Sequence, residues 1–216
     1  MSMFTDNIDY VSTGFLNTVN DRVIGGLLSS GTGASPRAGQ LGKKVHMTQD
    51  EAYARYYNKT LSGTTVPQLY SGIYQYVQFK AGSSSSNVQG QVVFWDTAAN
   101  SGEENYVVTP DAPSVPSPIA GITLNPSTWA NSKGNYGWIQ IAGLATVKFC
   151  AAVTKGTPVA GDLVVLDLTP TNTADVLADA TNITSVQARV IIGKAYDAPV
   201  SAALKRVLLA VPTFNC

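Results

Sequence analysis

Apolar and polar positions alternate along much of this chain, but not from its start. Residues 1–47 hold no sustained period, because Gly25-Gly26, the run Ser29-Ser30-Gly31-Thr32-Gly33, Gly39 and Gly42 interrupt a stretch of small and polar side chains. Such a segment buries too little apolar surface to offset its own ordering entropy. It is expected to be an extended N-terminal arm that becomes ordered against a partner. Its anchors would be the sparse apolar residues Phe4, Ile8, Tyr10, Val11, Phe15 and Leu16.

Thr48-Gln49-Asp50-Glu51 has the form of a capping box, in which the Thr48 hydroxyl accepts from a first-turn amide while Glu51 reaches back. A short helix is therefore predicted over 48–60. Tyr53, Tyr56 and Tyr57 fall three or four residues apart and share a face. That face would dock on the sheet or on a neighbouring chain.

From about residue 66 the period becomes two. Segments 70–79, 91–95 and 106–109 are rich in β-branched and aromatic residues and are bounded by Gly, Ser, Asn and Pro, the signature of strands. Four prolines within 110–118 exclude a central strand there, since each lacks an amide donor, and predict a loop. Further apolar, β-rich runs follow at 138–142, 145–153, 163–168, 188–195 and 205–211. Segment 154–162 supplies turns, with Gly161-Asp162 feeding the next strand, and Gly193 in mid-strand marks a bulge or bend. The fold class predicted is mainly β. It would be a small antiparallel β-barrel or sandwich over residues 66–216, with a division into two subdomains near 110–136 left open.

Charged residues make up only 13% of the 216, about half the usual share. Fourteen basic and fourteen acidic residues cancel, so no net field favours a polyanion or an anionic membrane. Nucleic acid and membrane are thus not expected as partners. A neutral, lightly charged surface tends to associate, which suits a protein that packs against copies of itself or of a shell. Cys150 and Cys216 form no disulfide framework and no metal spacing, as in a reducing cytosol. The first residues lack a basic segment followed by an apolar core, and no run approaches the ~20 apolar residues of a membrane span.

Candidate chemistry is sparse. The single histidine, His46, has no second histidine and no nucleophile motif around it. Cys150 could serve as a nucleophile with His46 as base, but it sits in the apolar run Phe149-Cys150-Ala151-Ala152-Val153, where a buried thiol is inert. Asp96, Asp111, Asp162, Asp167, Asp175, Asp179 and Asp197 form no calcium loop and read as solvated loop charges, with Glu103 beside them. Neither catalytic residues nor a cofactor are expected. Trp95, Trp129 and Trp138 could form a sugar-stacking platform, although aromatic residues in short strands more often fill cores or interfaces.

Residues 137–147 (GWIQIAGLATV), then Val159-Ala160-Gly161-Asp162, then Val190-Ile191-Ile192-Gly193-Lys194-Ala195 and Arg206-Val207-Leu208-Leu209 together resemble the pattern of tailed-bacteriophage capsid decoration, or cement, proteins. A weaker echo occurs in residues 90–95 and 119–122. The resemblance implies a non-enzymatic virion protein on the outer surface of the head, made in the cytoplasm of a host bacterium. It would bridge major capsid protein subunits as a homotrimer and stabilise the expanded shell. The aromatic and aliphatic residues of the arm and helix would be the contacts. A tail, neck or head-fibre component, with host-surface glycan binding, is the alternative.

Overall fold

The computed structural model describes residues 41–42, 44–50, 52, 60–61, 64–65, 69–80, 89–96, 106–111, 119–124, 136–153, 155–167, 173–177 and 191–210. The strands among them are β1 (Lys44–Met47), β2 (Thr60–Leu61), β3 (Thr64–Thr65), β4 (Gly72–Phe79), β5 (Val92–Trp95), β6 (Val107–Thr109), β7 (Ile119–Thr123), β8 (Tyr136–Lys148), β9 (Leu163–Leu166), β10 (Ala174–Val176), β11 (Ile191–Ala195) and β12 (Leu204–Ala210). The chain is mainly β, as its period-two pattern requires.

Ten strands join one sheet in the order β1-β4-β6-β5-β7-β8-β12-β11-β9-β10, and β2 pairs with β3 apart from it. A small antiparallel barrel or sandwich was expected; the strands form this single large sheet, in which the additional pairing of β4 with β8 closes β4, β6, β5, β7 and β8 into a ring. One of its pairs, β4–β6, is parallel. The reason is topological: because the other four pairs of this five-strand ring are antiparallel, β6 must run parallel to β4.

The spine is β8, a strand of 13 residues. Its first half pairs with β4 and β7 and its second half with β12. Two separate strands, 138–142 and 145–153, were expected here, and they are one. Gly143 makes the continuation possible: at φ +91° it lets the strand pass from one partner to the other, and a Cβ there would lie 2.4 Å from the Ser71 carbonyl oxygen. The buried Gln140 side chain supports the same crossing by donating from Nε2 to the carbonyls of Ala142 (3.2 Å) and Leu144 (2.8 Å).

Two apolar cores result, and β8 contributes to both. Trp138, Ile139 and Ile141 lie in the first with Tyr74, Tyr76, Val77 and Phe79, where the Tyr76 and Trp138 rings meet at 5.1 Å and 57°. Ala145, Val147 and Phe149 lie in the second with residues from β9 to β12. Between the cores, β5 is buried on both faces: Val93 points into the first, Val92 and Phe94 into the second. A doubly buried strand reads as a continuous apolar run, not an alternating one.

Several boundaries differ from expectation. The last four residues of the expected arm form β1, paired in register with β4 from Lys44↔Gln75 to Met47↔Gly72. Strands β7 and β10 arise in segments that no run of sufficient length announced. Of the expected 48–60 helix, the first turn is present, with the Ala52 amide donating to the Thr48 carbonyl at 3.0 Å, but Thr60 lies in β2, paired with Thr65. Residues 1–40, 53–59 and 112–118 lie outside the described residues. At Gly193 the pairing of β11 with β9 shifts register, the expected bulge, and a Cβ there would collide with the Leu208 carbonyl oxygen.

Candidate functional site

The last hairpin, β11 to β12, is built to display side chains on a rigid base. Along β12 the burial alternates, with Val207 and Leu209 in the second core and Leu204, Leu208 and Ala210 pointing outward. The connection 196–203 is tied down at both ends. Tyr196 donates its amide to the Arg206 carbonyl at 2.9 Å, Ala202 donates to the Cys150 carbonyl at 2.7 Å, and Phe149 donates to the Ala203 carbonyl at 2.9 Å.

Arg206 lies between Leu204 and Leu208 on the outward face. Its guanidinium donates from Nε to Asp197 Oδ2 at 2.8 Å and from Nη2 to Asp197 Oδ1 at 2.6 Å, a forked pair. The same guanidinium stands 4.6 Å from the centroid of the Tyr196 ring and 5.9 Å from that of Tyr70. The bonds from Arg206 hold the Asp197 carboxyl below the usual carboxylate range, against the opposing effect of burial. Burial raises the Tyr70 hydroxyl, and the Asp197 charge adds to the effect.

A second turn joins this surface. Val159-Ala160-Gly161-Asp162 closes with the Asp162 amide on the Val159 carbonyl at 3.3 Å, and the positive φ of Gly161 (+92°) is that of the third position of a type II turn. Asp162 fastens it by accepting from Lys155 Nζ at 2.5 Å and from the Val159 amide at 2.8 Å. Gly161 and Asp162 both hydrogen-bond Ala195, the residue before Tyr196. Thus Val159 stands beside the hairpin.

The outcome is a concentration of exposed apolar surface. The large apolar side chains that are exposed among the described residues are Val159, Tyr196, Val200, Leu204 and Leu208, at 42% to 56% exposure, and all five lie on or next to this one hairpin. Scattered single apolar residues are ordinary on a protein surface, whereas a contiguous group marks an interaction site. Leu144 and Lys194 stand opposite Leu208, and Lys148 opposite Leu204, so the same face carries amines among its leucines.

The sequence-predicted contact residues Phe4, Ile8, Tyr10, Phe15, Leu16, Tyr53, Tyr56 and Tyr57 all lie outside the described residues. None of the hairpin residues was expected to be a contact, although Lys194, Arg206 and Leu208 stand in the runs quoted for the resemblance. The signal existed in Val207-Leu208-Leu209, three successive large apolar residues, which in a strand must present apolar groups to both faces.

The catalytic pair considered from sequence does not come together. His46 on β1 stands opposite Ile73, which stands opposite Ala142, whereas Cys150 lies eight residues further along the chain, past the end of β8. Burial, reinforced by the charges of Asp175 and Asp167, pushes the Cys150 thiol up to about 11, and the thiol donates to the Ala152 carbonyl at 3.1 Å. Three carboxylates read as solvated loop charges are ion-paired instead. Asp96 is buried and bound by Lys80 Nζ at 2.8 Å, while Asp162 and Asp197 hold the turn and the hairpin. Among the described residues no group of three or more His, Cys, Asp or Glu side chains is placed to hold a metal. Trp138 fills the first core, Trp95 packs against its edge, and Trp129 lies outside the described residues.

No protein-family model matches the chain, and no curated protein matches it. Among solved structures it is similar to the N base of the head fibre gp8.5 of bacteriophage phi29, at 9% identity and a TM-score of 0.41, over 66% of this chain and 99% of that one.

Proposed function

We propose that the chain is a non-enzymatic structural protein of a tailed-phage virion, which binds the outer surface of the head and stabilises the expanded shell by bridging major capsid protein subunits. The observation that carries this reading is the gathering of the exposed large apolar residues on one rigid hairpin. That is the equipment of a protein whose work is adhesion. The hairpin also falls within the 137–211 segment whose pattern resembles decoration proteins.

The mechanism is thermodynamic. A protein that binds only the expanded lattice stabilises that lattice by mass action, as any ligand stabilises the state it binds. Individual contacts can be weak, because many copies on a continuous shell act with avidity when two attachment points engage at once. Residues of the N-terminal segment, Phe4, Ile8, Tyr10, Phe15 and Leu16, and of the tyrosine face, Tyr53, Tyr56 and Tyr57, would supply one attachment in a homotrimer. No cofactor, nucleic acid or membrane enters the mechanism. The protein would be made in the cytoplasm of the host bacterium and act on the capsid surface.

A tail, neck or head-fibre component is the second reading. Its support is the exposed Tyr196 ring beside the Asp197–Arg206 fork, an aromatic face next to a paired donor and acceptor such as a host-surface glycan would use. The deciding experiment measures the mass of the purified chain in solution and its co-sedimentation with empty heads before and after expansion. A trimer that binds expanded heads alone supports the decoration role. A chain that ignores both forms of head but takes up glycan moves the assignment to the second reading.

A further inference from the structure

We infer that the outward face of the β11–β12 hairpin, centred on Leu204, Arg206, Leu208 and Tyr196, is a docking surface for an acidic, apolar patch on another protein. This rests on the virion reading above, in which that protein is the shell subunit, and it assigns the second attachment point to specific residues.

The chemistry of the occupant follows from the charges around the leucines. On the outward face Arg206 is paired with Asp197, which leaves the amines of Lys194 and Lys148 as the charge beside the leucines, in a chain that is neutral overall. Lys194 is exposed directly opposite Leu208, and Lys148 stands opposite Leu204. A second copy seated on this face by a two-fold axis would bring the same amines against one another. An acidic partner relieves that repulsion and pairs the amines.

The internal geometry suits the same use. Arg206 is already neutralised by Asp197 and held over the Tyr196 ring, 4.6 Å from its centroid, so guanidinium and ring meet the partner as one preorganised unit. Tyrosine and arginine at the centre of an apolar patch are the residue types on which binding energy concentrates. Little side-chain entropy is left to lose, because the loop and the fork are fixed before the partner arrives.

The test uses the full chain on expanded, emptied heads of the phage that encodes it. Binding of the parent chain is compared with Tyr196→Ala, Leu208→Ser, Lys194→Glu and Lys194→Arg, with solution mass and melting temperature recorded for each. Tyr196→Ala, Leu208→Ser and Lys194→Glu are each expected to weaken binding about tenfold or more at unchanged melting temperature, Lys194→Arg to retain it, and salt to weaken the parent. Hydroxyl-radical footprinting of the parent, which needs no variant, is expected to protect Tyr196 and Leu208 on the heads.

Heads that bind parent and variants equally, with Tyr196 and Leu208 unprotected, would overturn this surface and leave the virion reading standing. A parent that binds no form of head would remove both this surface and the decoration role on which it rests. A drop in the solution mass of Leu208→Ser with head binding intact would make the face a contact between copies, and would also overturn the inference.

Discussion

Arg206 and Asp197 meet through two parallel bonds, 2.8 and 2.6 Å long, and the Arg206 amide adds a third to Asp197 Oδ2 at 3.2 Å. Asp197 therefore closes the loop of the last hairpin and fixes the guanidinium beside Tyr196.

Because Arg206 depresses the Asp197 carboxyl, the pair stabilises the fold above the unfolded carboxyl value of about 3.9 and loses that stabilisation as pH falls through the lower folded value. Both side chains are about a third exposed, so solvent screening limits the effect to about 1 kcal/mol or less. Urea denaturation from pH 7 down to about 3 should show Asp197→Asn losing less stability on acidification than the parent. Identical slopes would refute the pairing as a source of acid sensitivity.

Gly143 and Gly161 offer a matched comparison, since their φ values are +91° and +92°. A Cβ at Gly161 meets nothing within 4 Å, whereas at Gly143 it meets Ser71 O at 2.4 Å and Gly72 Cα at 2.5 Å. Gly161→Ala should cost about 1 kcal/mol, from the left-handed backbone alone. Gly143→Ala should cost at least about 2 kcal/mol more, because β4 must shift as well. Equal losses in denaturant titrations would contradict the crossing geometry.

Gln140 Nε2 serves two carbonyls where β8 changes partners. Gln140→Leu keeps the bulk but removes both donations, and should destabilise by about 1–3 kcal/mol. Hydrogen exchange should quicken around Gly143 before it does elsewhere. A variant as stable as the parent would show that those carbonyls find other donors at no cost.

Cys150, with its thiol raised to about 11, should react slowly with a disulfide reagent at pH 8 in a Cys216→Ser background and accelerate only toward pH 11. A raised value stabilises the fold fully below the unfolded thiol value of about 8.5, and that contribution is lost as pH rises through about 11. Rapid labelling of the folded protein at neutral pH would mean that the end of β8 opens readily.

Much of the architecture is written locally. Runs rich in β-branched and aromatic residues, bounded by turn residues, located β4, β5, β6, β9, β11 and β12 to within a few residues, Thr48 marked the first helical turn, and Gly161-Asp162 and Gly193 marked a turn and a bulge through backbone requirements that few other residues meet. Other features depend on partners distant in sequence. Gly143 looked like a break because glycine weakens a strand, and only the meeting of β4 with β12 along β8 makes it a crossing. Asp96, Asp162 and Asp197 looked solvated because the lysines and arginine that pair with them lie seven to sixteen residues away, across turns. The hairpin surface shows the limit most clearly. Alternation tells which residues of a strand share a face, but whether that face is covered depends on what the rest of the chain packs against it. Val92 and Phe94 on β5 gained a second core that way, and Leu204 and Leu208 did not.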